Sequence, residues 1–266
     1  MHPELLNLGP LSIKTYGALM AAGFVTCWKL VEKLSGRKDL GNFLLALMLA
    51  GIAGSRTAYV IENWNAQFSG DWMNIFRVWE GGLVFYGGLI LAIIVFFAWC
   101  RIAKEPVLGT ADLLCTVLPL GHAFGRTGCF FYGCCYGKLS SSPLAVAFPA
   151  HSPAWYEQLH EGLITTAAAH SLPVLPTELF EAAALLALFA VTLACYLKFR
   201  RGRAGLVAGV YLALYALIRF GLEYLRGDPR AAVGPLSIGQ TISLGILLAG
   251  AAFIAIALAR GKEAAA

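Results

Sequence analysis

Long apolar stretches alternate with short polar or charged segments along this chain. Seven of the stretches are long enough to cross about 30 Å of hydrocarbon. Each should form a helix, because a helix satisfies its backbone hydrogen bonds within its own segment where no water is available. The pattern therefore predicts an all-α integral membrane protein with seven transmembrane helices. They cover residues 12–32, 42–62, 83–103, 107–127, 178–198, 204–225 and 238–259.

The distribution of Lys and Arg between the two sets of helix ends predicts the orientation. Twelve of them lie at the set of ends that includes residues 29–38 and 198–203, and five lie at the opposite set. Cytoplasmic loops carry the excess of positive charge, so the N-terminus is expected outside and the C-terminus in the cytoplasm. The loop at about 138–177 is then periplasmic and too long for a simple connector. It is expected to be a lid or a docking surface, with a disordered loop as the alternative.

The composition agrees with a membrane protein. Hydrophobic residues make up 59% of the 266 residues and charged residues 13%, whereas a soluble domain carries about 25% charged residues. We expect one membrane-embedded domain over residues 1–266, in a multi-pass arrangement.

The seven cysteines are odd in number and lie mostly in apolar runs, which argues against a disulfide framework. Three of them, Cys129, Cys134 and Cys135, are close in sequence. Their spacing matches no standard zinc motif, and no histidine cluster accompanies them. They are predicted to be small packing residues, and no metal is expected.

Three arginines, Arg56, Arg126 and Arg219, lie inside apolar stretches. An arginine at the centre of a membrane helix costs about 2.5–3.5 kcal/mol, and its planar guanidinium suits a phosphate. We interpret the chain as a scaffold that brings these three cations to one place to hold an anion. The alternative is a structural arginine that bonds backbone carbonyls.

His122 and Arg126 are four residues apart and therefore share a face of a helix. Beside an arginine in a membrane, His122 is a candidate proton carrier. The alternative is a histidine that only packs between helices.

A second group, Tyr215, Arg219, Glu223 and Arg226, falls on one helical stripe that must face the interior of the bundle. Glu223 can pair with Arg219 or with Arg226. This arrangement is either part of a site or a self-contained structural ion pair.

The segment 79–88 opens the third predicted span and is rich in glycine. Gly87 and Gly88 would allow backbone or ligand to approach closely. Tyr86 could orient a phosphate or act as a weak acid, and the alternative is an interfacial tyrosine.

The fifth predicted span begins with Thr177, a plausible N-cap. Glu178 and Glu181 follow in its first turns, where a negative charge interacts favourably with the helix dipole. Capping is the expected role of at least one of them.

Together these motifs resemble the prolipoprotein diacylglyceryl transferase family over most of the chain, from Gly9 to Gly250. Each piece is weak alone, but their order within the spans is specific. The pieces are Tyr16-Gly, Arg56, the segment 79–89, the signature from Gly125-Arg126 to Gly137, and the segments 176–181, 215–226 and 236–240.

The resemblance implies an enzyme of the bacterial inner membrane. It would move the diacylglyceryl group of phosphatidylglycerol onto the lipobox cysteine thiol of a preprolipoprotein and release glycerol 1-phosphate. Its partners would be phosphatidylglycerol, the preprolipoprotein signal peptide and membrane lipid, with no nucleic acid and no cofactor. Fixed guanidinium groups would stabilise the negative charge that grows on the phosphate.

The resemblance and the residue chemistry together predict the site. The catalytic residues are Arg126, Arg219, Tyr86, Glu223 and His122, with Glu223 orienting Arg219. The substrate-binding residues are Tyr16, Arg56, Gly87, Gly88, Gly137, Tyr215 and Arg226.

Four departures from the family pattern mark a divergent branch. Tyr86 stands where the family commonly has a histidine that is a proposed base, Cys129 replaces an Asn, and Cys134 replaces a Glu. Leu175 replaces the His of a His-Pro pair before the fifth span. A tyrosine with a reference pKa of about 10 is a poor base, so the proton acceptor is open between Tyr86 and His122.

Two other classes of function compete with this one. A lipid or anion transporter would use the arginines to line a path, but transporters more often show internal repeats, which this sequence lacks. A paralogue could bind phosphatidylglycerol without catalysis, or use another acceptor.

Overall fold

The computed structural model describes residues 4–7, 12–70, 72–78, 81–200, 202–229 and 232–263. Trp79 and Glu80, which begin the glycine-rich motif, lie outside the described residues. The described chain is almost entirely helical. Its helices are α1 (Thr15–Ser35), α2 (Asp39–Glu62), α3 (Phe85–Ile102), α4 (Val107–Tyr132), α5 (Pro153–His160), α6 (Thr177–Phe199), α7 (Leu206–Glu223) and α8 (Ile238–Glu263).

Strands are few and short in the described ranges. β1 (Glu4–Asn7) pairs antiparallel with β2 (Ser12–Lys14), and β3 (Ala232–Val233) pairs antiparallel with β4 (Leu236–Ser237). The second hairpin leads directly into α8.

Six of the described helices are long and apolar enough to cross a membrane: α2, α3, α4, α6, α7 and α8. The prediction of a helical, multi-pass membrane protein is confirmed at this level. The helix α1 is 21 residues long but is not one of the six. Lys29, Glu32 and Lys33 fall in its last two turns and reduce its apolar character. The count of seven spans and the orientation of the termini remain predictions.

The chain divides into two compact units, one formed by Met1–Cys27 with Ala111–Ala266 and the other by Trp28–Thr110. The helices α1 and α4 each run through a boundary between units. The single domain over residues 1–266 stays a prediction.

In the unit Trp28–Thr110, α2 and α3 pack through glycines. A Cβ atom at Gly54 would lie 2.4 Å from the Gly87 carbonyl oxygen, and one at Gly88 would lie 2.5 Å from the Gly51 carbonyl oxygen. Small residues allow helix backbones to approach this closely in a membrane.

In the other unit, a buried carboxylate fixes the start of α7. Asp112 of α4 is 2% exposed, and its two oxygens accept hydrogen bonds from the backbone N–H groups of Gly205 at 2.7 Å and Ala208 at 2.8 Å. The first N–H groups of a helix have no partner within the helix, so Asp112 supplies one from a neighbouring element. The same unit packs α4, α6 and α7 around Ala123, Leu185 and Leu188.

The long loop between α4 and α6 is folded. It contains α5, whose N-cap is the Ser152 side chain, and an apolar core formed by Tyr136, Phe148, Ala154 and Val174. This packing excludes the disordered alternative. A role as a lid or a docking surface stays a prediction.

Candidate functional site

The centre of the candidate site is Glu181, on the second turn of α6. The helix α4 presents Arg126 and His122 to this carboxylate from the same face, as their spacing predicts. Arg126 Nε lies 3.0 Å from Glu181 Oε1, and His122 Nε2 lies 3.8 Å from the same oxygen. The Glu181 side chain is only 2% exposed, so the pair is shielded from solvent.

The second arginine is oriented in the same way by its own helix. Arg219 NH1 lies 2.7 Å from Glu223 Oε2, one turn along α7. The other Glu223 oxygen accepts a hydrogen bond from the Ser237 hydroxyl at 2.7 Å. Gly239 packs against this carboxylate, because a Cβ atom there would lie 2.9 Å from Oε1. The predicted pairing of Glu223 with Arg219 is present.

The two ion pairs leave part of each guanidinium available. The Arg126 Nε and Arg219 NH1 contacts are at ion-pair distance without the alignment of a hydrogen bond. The ion-pair contact of each arginine with its glutamate is made by one nitrogen, Nε of Arg126 and Nη1 of Arg219. Because a guanidinium has five N–H donors, both side chains keep donors for an anionic ligand.

Tyr215 and His122 connect the two arginine-bearing helices. The two ring centroids are 5.7 Å apart, and the His122 ring lies within electrostatic range of both Arg126 and Arg219. Tyr215 also stacks on Tyr211, with ring centroids 5.8 Å apart. The structure thus brings Arg126, Arg219, His122 and Tyr215 into one region.

Arg226 departs from the predicted stripe, because α7 ends at Glu223 and Arg226 lies in the turn that follows. Its Nε and NH2 donate to the two Asp228 carboxylate oxygens, each at 2.9 Å. Its NH1 lies 4.0 Å from Glu181 Oε2, and its side chain is 3% exposed. The turn therefore adds a second guanidinium beside Glu181.

Gly137 and Tyr16 occupy positions where chain segments touch. A Cβ atom at Gly137 would lie 2.8 Å from the carbonyl oxygens of Leu175 and Leu225, so this glycine permits backbone crossing. Tyr16, on the first turn of α1, packs its ring on Gly128, where a Cβ atom would lie 2.8 Å from the ring. Their contact with substrate stays a prediction.

Arg56, in the unit Trp28–Thr110, has a structural set of partners. Its guanidinium donates to the carbonyl oxygens of Ile75 at 2.9 Å, Gly81 at 2.7 Å and Gly82 at 3.2 Å, and also to that of Asn74. It therefore holds the segment that precedes α3, which matches the alternative of an arginine that bonds backbone carbonyls. Placement of a headgroup by Arg56 remains a prediction.

Tyr86, Gly87 and Gly88 lie in the first turn of α3, in the same unit as Arg56. The two glycines serve the contact with α2, because a Cβ atom at Gly87 would lie 2.4 Å from Gly54 O. The Tyr86 side chain is 53% exposed. The catalytic role of Tyr86 and the ligand contact of the glycines stay predictions.

The sequence analysis missed the importance of Glu181 and Glu178. Capping does not explain Glu181, whose carboxylate faces three basic side chains. Glu178 is 1% exposed, and neither of its oxygens has a hydrogen-bond partner among the described residues. The N-cap prediction for Thr177 was wrong: the helix already includes Thr177, and its hydroxyl donates to the Cys135 carbonyl at 2.9 Å. Two glutamates in an apolar helix were the available signal.

Three cysteines gather beside this site. The Sγ atoms of Cys129, Cys134 and Cys135 all lie within 4.8 Å of one another. This group could hold a thiolate-binding metal ion.

Comparisons with known proteins identify the family of this chain. A family model described as prolipoprotein diacylglyceryl transferase matches residues 3–256. Three relatives carry the name phosphatidylglycerol–prolipoprotein diacylglyceryl transferase. The one from Mannheimia succiniciproducens is 32% identical, over 97% of this chain and 93% of that protein. The one from Xanthomonas oryzae pv. oryzae is 31% identical, over 96% and 91%. The one from Clostridium perfringens, named with the numeral 2, is 30% identical, over 95% and 94%.

Proposed function

Because this chain belongs to the prolipoprotein diacylglyceryl transferase family, we propose that it transfers the diacylglyceryl group of phosphatidylglycerol to a prolipoprotein thiol. The acceptor is the lipobox cysteine next to the signal peptide, and the second product is glycerol 1-phosphate. One observation carries the proposal. Arg126 and Arg219 are each oriented by a buried carboxylate, Glu181 and Glu223 respectively, and each keeps donors for a phosphate.

The reaction is a substitution at carbon. The acceptor sulfur forms a bond to the methylene carbon that carries the phosphate ester, and the carbon–oxygen bond breaks. Its electron pair leaves on glycerol 1-phosphate, so negative charge grows on the phosphate as the bond breaks. Arg126 and Arg219 stabilise that charge from fixed positions, which avoids reorganisation during the reaction.

The acceptor thiol must lose its proton to become a good nucleophile. His122 is the better proton acceptor of the two that the sequence left open. Its Nε2 lies 3.8 Å from a Glu181 carboxylate oxygen, and its ring is close to the two arginines that hold the phosphate. Tyr86 is a phenol in the other unit with an exposed side chain.

The membrane arrangement is part of the proposal. The helix α1 is the seventh span, the N-terminus and the loop containing α5 lie outside, and the C-terminus lies in the cytoplasm of a bacterial cell, across its inner membrane. The excess of Lys and Arg at the opposite helix ends supports this orientation. The substrate site then opens where a secreted prolipoprotein emerges.

A direct assay tests the function. Purified full-length protein in detergent receives phosphatidylglycerol and a lipobox peptide, and the release of glycerol phosphate is followed. We expect release that requires the peptide thiol, with a peptide carrying Ser in place of Cys as the control. Binding of phosphatidylglycerol without thiol-dependent release would instead indicate a non-catalytic relative or one with another acceptor.

A further inference from the structure

Three thiols lie at the end of α4 and in the turn after it. Their Sγ atoms are all within 4.8 Å of one another. A tetrahedral zinc site with Zn–S distances of about 2.3 Å has its sulfurs roughly 3.8 Å apart. Rotation of each cysteine side chain about its Cα–Cβ bond could bring the sulfurs from their present separation, within 4.8 Å, to the roughly 3.8 Å of a zinc site.

The backbone holds the three cysteines in this arrangement. Gly133 and Cys135 both adopt positive φ angles, of 81° and 69°, and so turn the chain back toward α4. The Cys134 N–H donates to the Cys129 carbonyl at 3.2 Å, and the Thr177 hydroxyl donates to the Cys135 carbonyl at 2.9 Å. A non-glycine residue with a left-handed φ persists only where its surroundings enforce it, and such residues cluster at ligand sites.

The surrounding charges suit a thiolate site. The Arg226 guanidinium lies close to the Cys135 thiol, and Arg126 lies about one helical turn before Cys129. Three thiolates around a divalent zinc carry a net charge of −1, which neighbouring guanidinium groups can balance. All three cysteines are only half-buried, so an ion can reach them.

We propose that Cys129, Cys134 and Cys135 bind one zinc ion through three thiolates and leave its fourth coordination position open. The sequence spacing predicted no metal. The turn at Gly133–Cys135 brings together thiols from a helix end and a loop, which the spacing does not indicate. Three protein ligands with an open fourth position are typical of catalytic zinc sites, whereas structural sites use four.

The metal content of the purified protein tests the site without reference to activity. We expect about one zinc per chain in full-length protein that is folded in detergent. Cys134→Ser should lower this content at least about tenfold, whereas Cys134→His, which restores a zinc ligand, should retain most of it. Cys195→Ser is the matched control, because Cys195 is a half-buried free cysteine outside the cluster, and it should keep its zinc.

Several outcomes would overturn the site. They are wild-type protein that stays free of zinc after incubation with Zn²⁺, equal zinc loss in Cys195→Ser, or full zinc content in Cys134→Ser. A fourth is a disulfide between two of the three cysteines, detected by thiol alkylation and mass spectrometry. Size-exclusion profiles matching wild type establish that each variant is folded.

The open position has a use that rests on the proposed function. The lipobox thiol can become the fourth ligand, because a thiol that coordinates zinc is deprotonated. Its proton passes to solvent water, since His122 lies about 10 Å further back along α4. Its sulfur then attacks the phosphate-bearing carbon, and the electron pair of the carbon–oxygen bond leaves on glycerol 1-phosphate.

Cobalt substitution tests this role. Co²⁺ in the site should give thiolate charge-transfer absorption that changes when lipobox peptide is added and stays unchanged with the Ser peptide. An unchanged spectrum together with thiol-dependent release would overturn the fourth-ligand role and leave the transferase standing. A changed spectrum without release would support thiol coordination and contradict the transferase.

Discussion

At the scale of single residues, the protein places cations inside a membrane segment and gives each one a carboxylate. Arg126 faces Glu181, and Arg219 faces Glu223. A buried ion pair is weak evidence for added stability, because desolvation offsets the attraction. Orientation of each guanidinium toward a substrate phosphate is the better explanation for retaining such pairs.

Removal of either guanidinium should abolish most transfer. Arg126→Ala and Arg219→Ala should each reduce the kcat/KM of glycerol phosphate release by about 10²–10³-fold, as loss of a transition-state donor does. Arg101→Ala is the control, because Arg101 is exposed at the end of α3, and it should keep wild-type activity. Full activity in Arg219→Ala would contradict the electrostatic mechanism.

Glu181 should act through Arg126. Glu181→Gln preserves the shape of the side chain but removes its charge, which leaves the buried Arg126 guanidinium without its ion-pair partner. We expect kcat to fall about tenfold or more while phosphatidylglycerol still binds, as measured by release kinetics and a binding assay. The matched control is Glu161→Gln, because Glu161 is exposed. An equal loss of kcat in the two variants would contradict a role for Glu181 in the site.

At the scale of elements, helix ends and close helix contacts are set by partners on other elements. The start of α7 is held by Asp112, which lies on α4, about ninety residues earlier in the sequence. Sequence reasoning places α7 correctly within a few residues, since its apolar length is a local property. It gives no indication of Asp112, because the contact depends on how the two helices pack.

The Asp112 contact should contribute to stability. Asp112→Asn removes the charged carboxylate that accepts hydrogen bonds from two backbone N–H groups. We expect the free energy of unfolding of this variant to be about 1–3 kcal/mol lower than that of the wild type. Thermal unfolding in detergent measures this. Asp39→Asn, at a half-exposed carboxylate paired with Arg37, should change stability by less than about 1 kcal/mol. A larger loss of stability in Asp39→Asn than in Asp112→Asn would contradict the stabilising role of Asp112.

Two glycines of α2 should respond oppositely to the same substitution. Gly54→Ala places a Cβ atom 2.4 Å from the Gly87 carbonyl oxygen, whereas Gly51→Ala meets nothing within 4 Å. Gly54→Ala should therefore lower the unfolding temperature. Gly51→Ala should maintain or raise it, since alanine is favoured over glycine in a helix by about 1 kcal/mol. Thermal unfolding of the two variants, measured in parallel, tests this prediction. An equal change in the unfolding temperature of both variants would contradict close packing of α2 and α3.

At the scale of the whole molecule, the topology is the main open prediction. Six described helices are apolar enough to span a membrane, and α1 carries three charges in its last turns. Those charges favour an α1 whose C-terminal end reaches the cytoplasmic surface. Lysine and arginine near a span end place that end on the inside.

Epitope accessibility tests this topology. An epitope inserted at Gly162 and one added at the N-terminus should both react with antibody in intact spheroplasts. An epitope at Gly36 should react only after the membrane is opened. An N-terminal epitope that needs permeabilisation, with Gly162 still accessible, would show that α1 does not cross the membrane.

The sequence by itself determined the membrane class and the positions of the long helices, and it indicated that Arg126 and His122 share one helix face and Arg219 and Glu223 another. Apolar length and charge at helix ends are local properties, and pairs four residues apart share a helix face wherever the helix packs. The tertiary structure decided which helices supply each partner. It placed Glu181 beside Arg126, and it directed the Arg56 guanidinium to backbone carbonyl oxygens. It also brought the thiols of Cys134 and Cys135 close to that of Cys129. Those contacts depend on helix rotation and on turns with positive φ angles, which the spacing of residues in a sequence does not specify.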